Sequence, residues 1–148
     1  GRDRSLGVRS AETLEELLKE VHVLSLHCPL TVETRHMVNR RTLALMPPGA
    51  FLVNTARGAV VDAPAVLDAV KSGYLAGAGI DVLEAEPPPE DDPLVAAWRD
   101  PEHPAHDRII VNPHSAFYTE EGLIDVRVKG SRNCRRVLLG EKPHNAVN

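Results

Sequence analysis

Ala50-Phe51-Leu52-Val53-Asn54-Thr55-Ala56-Arg57-Gly58 is the stretch on which the fold turns. Four apolar residues make a short buried strand, and Asn, Thr, Arg and Gly then place polar groups at its end. In α/β sheets, ligands collect at the carboxyl ends of strands. Arg57 is permanently charged and can grip a carboxylate through two parallel hydrogen bonds. Asp81, Glu86 and His114 follow at the ends of two further strand-like runs. An arginine, two acids and a histidine therefore stand where a parallel sheet would bring them together.

Working outward, 13–20 carries Leu14, Leu17 and Leu18 at helical spacing, with acids near its start. Residues 21–27 read as a strand stopped by Pro29. A short helix is expected over 40–45, ended by Pro47-Pro48-Gly49. Asp62 is a natural N-cap for a helix over 63–71, with Pro64 in its first turn and Gly73 just past its end. Residues 74–82 form the next strand, where Ala76-Gly77-Ala78-Gly79 suits close packing of a helix on the sheet. An irregular segment over 83–108 holds Glu86-Pro87-Pro88-Pro89 and a helical turn at 94–98, and Trp98 is its expected apolar anchor. A last strand at 109–112 and a long helix over 119–139 complete the chain. Helices alternating with apolar strands predict an α/β fold: a parallel sheet covered on both faces.

The chain has 148 residues, 43% of them hydrophobic and 26% charged, which allows one domain with a real core. A net charge of −4 argues against nucleic acid or an anionic membrane as the main partner. Arg127, Lys129, Arg132, Arg135 and Arg136 spread over more than one helical face and read as solvated surface. Cys28 and Cys134 do not suggest a disulfide framework, and no long apolar run is present, so a reducing, cytoplasmic setting is expected. No metal site is expected. His22 and His27 face opposite sides of their strand, and His103 and His106 lie in a loop.

At these residues the chain resembles the D-isomer-specific 2-hydroxyacid dehydrogenases. The matching pieces are Val23-Leu24-Ser25-Leu26-His27-Cys28-Pro29-Leu30-Thr31, Gly49 to Gly58, Gly79-Ile80-Asp81-Val82-Leu83-Glu84-Ala85-Glu86-Pro87, and Asn112-Pro113-His114-Ser115-Ala116. Phe117-Tyr118 after them is most similar to the branch of C-terminal binding proteins. The resemblance implies Arg57 as the clamp for the substrate carboxylate, His114 as the acid/base and Glu86 as its orienting partner. It implies NAD as cofactor, with NADP left open, and a contact from Asp81 to the nicotinamide carboxamide. Cys28, Pro29, Leu30, Thr34, Thr55, Ala56, Arg57, Asp81, His114 and Ser115 would line the cofactor cleft. Phe117 would join Arg57 and His114 in the substrate pocket and favour an apolar side chain there. A small 2-keto or 2-hydroxy acid is the implied substrate, and a homodimer the implied assembly.

The chemistry suits these residue types. Reducing a 2-keto acid leaves negative charge on the former carbonyl oxygen, which then needs a proton. Histidine, with an ordinary pKa of about 6.5, exchanges that proton near neutrality. A neighbouring carboxylate favours the imidazolium and fixes its tautomer. An arginine orients the substrate and stabilises the developing charge.

Family members open their cofactor domain with a strand, a Gly-x-Gly-x-x-Gly turn and a helix, and this sequence contains no such turn. The expectation is a partial Rossmann-like, doubly wound sheet lacking its first two strands. Residues 1–140 would be the later part of the cofactor domain, and 141–148 a return segment towards the substrate domain. If the chain supplies strands 3, 4, 5 and 6 of a 3-2-1-4-5-6 sheet, strand 21–26 has no neighbour. Its buried backbone groups would go unpaired, at about 1–3 kcal/mol each. Tight dinucleotide binding by the 148-residue chain alone is then not expected. Two further readings stand beside the enzyme: a nuclear, NAD(H)-sensing corepressor of the C-terminal binding protein type, and an inactive truncation product.

Overall fold

Four strands form one parallel sheet in the computed structural model, which describes residues 7–144 and 146. They are β1 (Val23–Leu26), β2 (Ala50–Asn54), β3 (Leu75–Ile80) and β4 (Ile109–Val111), hydrogen-bonded in the order β1-β2-β3-β4. Helices α1 (Leu14–Glu20), α2 (Arg40–Leu43), α3 (Ala63–Lys71) and α4 (Pro93–Arg99) lie among them in the chain, and α5 (Glu120–Leu138) follows β4. Single 3₁₀ turns occur at Gly58–Val60 and His106–Arg108. Backbone contacts divide the chain into two compact units, Gly1–His114 and Ser115–Asn148.

Each helix starts where a small polar side chain caps it. Thr13, Asn39, Asp62, Asp92 and Thr119 accept hydrogen bonds from backbone N–H groups in the first turns of α1 to α5. Proline in the first turns of α3 and α4 lacks the N–H that would have no partner there.

The strand order corrects the expectation of a gap beside the first strand. β1 pairs directly with β2, with Val23 opposite Phe51 and Leu26 opposite Asn54. The connection over 27–49 carries α2 and makes an ordinary βαβ crossover, so nothing is missing between the two strands. The backbone penalty expected for an unpaired strand 21–26 therefore does not arise at this edge. The case for an inactive fragment loses its main support.

The same order explains which face is covered. Right-handed crossovers between successive neighbours keep every connecting helix on one side of a sheet. α1 packs on α2, α2 on α3 and α3 on α4, while α3 and α4 contact β3 and β4. Leu24, Leu26, Leu52, Leu75, Ile80 and Ile109 are buried in the core with Leu18, Leu43, Val66, Val70 and Leu94. The alternate strand residues Val23, Phe51 and Ile110 are 58%, 48% and 63% exposed, on the face opposite these helices.

Two smaller expectations also change. Gly77 does not receive a helix: a Cβ there would lie 2.8 Å from the Arg108 carbonyl oxygen, just before β4. The 83–108 segment is anchored by Leu94, Val95, Ala97 and Ala105, all buried, whereas Trp98 is exposed. Of the expected return segment at 141–148, residues 145, 147 and 148 lie outside the described residues.

Candidate active site

Because the four strands are parallel, their carboxyl ends share one edge, and each loop there contributes to one cavity. Leu30 comes from the loop after β1, Arg57 from that after β2, Glu86 from that after β3, and His114 from that after β4. Gly58, Ala59, Val82, Leu83 and Glu84 complete the lining of a space of about 300 Å³. A larger hollow, of about 620 Å³, lies between α2 and α3 against Arg40, Asp68 and Tyr74. None of the expected site residues lines it.

The turn that carries Arg57 is shaped by Asn54. This side chain is fully buried; its Oδ1 accepts from the Ala56 N–H at 3.0 Å, and its Nδ2 donates to the Arg57 carbonyl at 3.0 Å. Arg57 itself is exposed, and one of its guanidinium N–H groups donates to the Ala56 carbonyl at 2.6 Å. Gly58 follows because nothing larger fits. A Cβ on it would lie 2.0 Å from the Leu83 carbonyl carbon and 2.3 Å from the Glu84 nitrogen. The arginine loop and the segment leading to Glu86 thus lie in direct backbone contact.

His114 and Glu86 are joined. The His114 Nδ1–H donates to Glu86 Oε2 at 2.7 Å, while Glu86 Oε1 accepts from the Leu83 N–H at 2.9 Å. Partial burial raises the Glu86 carboxyl, but these two hydrogen bonds and the imidazolium charge outweigh it. Glu86 is held below the ordinary carboxylate value. The His114 backbone N–H donates to the Asp81 carbonyl at 2.8 Å, which extends the β3–β4 pairing past the strand ends. His114 takes φ 52°, in the left-handed region that residues with side chains seldom occupy.

Asp81 is buried, its backbone N–H bonded to the Asn54 carbonyl at 2.9 Å. On the β1 side, Thr34 Oγ1 donates to the Pro29 carbonyl at 2.7 Å, and the Thr31 hydroxyl and backbone close the same turn. Cys28 is a half-buried free thiol beside this turn. Thr55 and Thr34 are half-buried and Ala56 is buried. Ser115 and Phe117 belong to the second unit, where Phe117 meets Tyr118 edge to face at 6.1 Å. Sequence reasoning had not singled out Asn54 or Gly58 for a role. The signal was their place, one at the strand end and one directly after the arginine.

The sequence pattern described as "D-isomer specific 2-hydroxyacid dehydrogenase, NAD binding domain" matches residues 2–116. The chain belongs to this family. It is 42% identical over 138 residues to a D-lactate dehydrogenase of Treponema pallidum, covering 87% of this chain and 40% of that protein. It is 40% identical over 146 residues to a glyoxylate reductase of Korarchaeum cryptofilum, covering 99% and 41%. A solved D-lactate dehydrogenase from Aquifex aeolicus, complexed with NAD and lactic acid, superposes with a TM-score of 0.80 at 33% identity. That match covers 95% of this chain and 44% of the solved one. The chain thus spans about two fifths of the length of the relatives it matches. No helix among the described residues is long and apolar enough to cross a membrane.

The cavity fits the reacting end of a nicotinamide cofactor. Leu30, Ala59, Val82 and Leu83 offer an apolar wall for a flat ring, and Arg57, Glu86 and His114 offer charge beside it.

Proposed function

We propose that this chain supplies the acid–base and substrate-clamping residues of an NAD(P)-dependent 2-hydroxyacid dehydrogenase that acts on a small 2-keto or 2-hydroxy acid. The observation that carries this reading is the convergence of Arg57, Glu86 and His114, from three separate strand ends, on one small cavity.

A bound nicotinamide supplies or accepts the hydride. With Nδ1–H committed to Glu86, the His114 ring exchanges its proton with the substrate oxygen through Nε2. The Glu86 carboxylate stabilises the imidazolium that donates this proton and keeps the ring turned towards the cavity. Arg57 leaves the Ala56 carbonyl to hold the substrate carboxylate, and its charge stabilises the oxygen as it becomes negative. Asp81 lies next to the His114 backbone and is assigned to the nicotinamide carboxamide. Cys28, Pro29, Leu30, Thr34, Thr55 and Ala56 are assigned to the cofactor cleft.

The relatives are named as dehydrogenases and reductases, which favours the enzyme over the corepressor reading. A homodimer and a cytoplasmic location are part of the same proposal. The test is NADH or NADPH oxidation by the complete protein with glyoxylate, pyruvate and bulkier 2-keto acids. Turnover of at least one supports the reading; no turnover of any, from folded protein that binds the cofactor, counts against it.

A further inference from the structure

A second histidine–glutamate contact lies beside the first. The His36 Nε2–H donates to Glu84 Oε2 at 3.1 Å, and the Arg35 guanidinium binds Glu84 Oε1. Neither Arg35, His36 nor Glu84 has a part in the proton transfer described above. These partners, the His36 bond first, hold the Glu84 carboxyl below the ordinary value despite its partial burial.

Position makes this cluster more than a surface ion pair. The His36 backbone N–H donates to the Ala59 carbonyl at 2.8 Å, and Val38 continues the pairing to Val60. His36 therefore holds the loop after Arg57 with its backbone and the segment before Glu86 with its side chain. Its φ of 48° is left-handed, a conformation that persists only where surrounding contacts hold it. Glu84 stands in the chain between Leu83, whose N–H orients Glu86 Oε1, and Glu86 itself. The same two residues, Leu83 and Glu84, rest directly on Gly58.

We propose that His36 and Glu84 form a positioning pair for the catalytic histidine: their contact keeps the 83–86 segment seated on Gly58, so that Glu86 stays aligned with His114. This rests on the reading of Glu86 and His114 as the acid–base pair. Exposed ion pairs contribute little to stability, so the pair acts on geometry and its loss is read in turnover.

The test measures kcat, the KM for NADH and the unfolding temperature in the complete protein, with a 2-keto acid it reduces. Glu84→Ala lowers kcat about tenfold while the KM for NADH stays within about twofold and the unfolding temperature is unchanged. Glu84→Gln keeps one acceptor oxygen, which can take the His36 bond, and so recovers part of the lost kcat. His36→Ala reproduces the loss, and the double variant falls no further than either single one. Wild-type kcat in Glu84→Ala, beside a large loss in Glu86→Gln, overturns the positioning pair and leaves the acid–base reading intact. Additive losses, or no recovery with Glu84→Gln, also overturn it. Wild-type kcat in Glu86→Gln overturns the acid–base reading itself, and the positioning pair with it.

Discussion

His114 Nδ1 lies 2.7 Å from Glu86 Oε2, although the two residues follow different strands and stand 28 positions apart in the chain. Each is held from behind: His114 by the Asp81 carbonyl, Glu86 by the Leu83 N–H. The pair is therefore set by the sheet before any substrate arrives, which is what a proton-transferring group needs.

Replacing Glu86 with Gln keeps the size and one hydrogen bond but removes the charge that favours the imidazolium. The expected outcome is a fall in kcat of about 10²-fold with a much smaller change in the KM of the keto acid. Steady-state kinetics of the complete protein check it.

Arg57→Lys keeps a positive charge but loses the planar fork that holds a carboxylate by two bonds. A drop in kcat/KM of about 10-fold or more is expected, carried by the KM of the keto acid. Unchanged kcat/KM would remove Arg57 from the substrate site.

Gly58→Ala puts a methyl group into the Leu83–Glu84 backbone, where the gap is 2.0 Å. Both partners are main chain, so neither can rotate away. A loss of stability of about 3 kcal/mol is expected from such overpacking, and denaturant titration measures it. Asn54→Ala breaks the buried bonds to Ala56 and Arg57 and should cost about 1–3 kcal/mol.

Glu84 and Glu86 both titrate below their ordinary value of 4.5. The folded chain then binds fewer protons than the unfolded one, so these carboxylates favour folding above that value. Their contribution fades as the pH falls from about 4.5 through the depressed folded values. With side chains 43% and 37% exposed, the effect is screened and small. A Glu84→Gln/Glu86→Gln double variant should lose less stability than the wild type between about pH 5 and pH 3. Equal losses in thermal melts across that range would contradict the assignment.

Local features of the fold were legible because local chemistry sets them. An Asp and an early Pro mark the start of α3 and a Gly its end, and the apolar run from Ala50 meets polar residues just past Asn54, where β2 stops. Arg57, Glu86 and His114 were legible for the same reason, since each stands just beyond an apolar strand. Neighbour relations were not. A strand's period says which residues face the core, but not which strand lies alongside, so β1 was assigned a gap that β2 fills. Trp98 reads as the apolar anchor of its segment, yet the residues of α4 that are buried are Leu94, Val95 and Ala97. His36 and Glu84, 48 positions apart, meet only through the crossing of two loops that no local pattern announces.

The most direct test of the central claim is the rate of keto-acid reduction by the complete protein carrying His114→Gln. Loss of about 10²- to 10⁴-fold in kcat, with NADH affinity retained, is the predicted result. Reduction at the wild-type rate would mean that the proton comes from elsewhere, and that the site formed by Arg57, Glu86 and His114 is not the reaction centre.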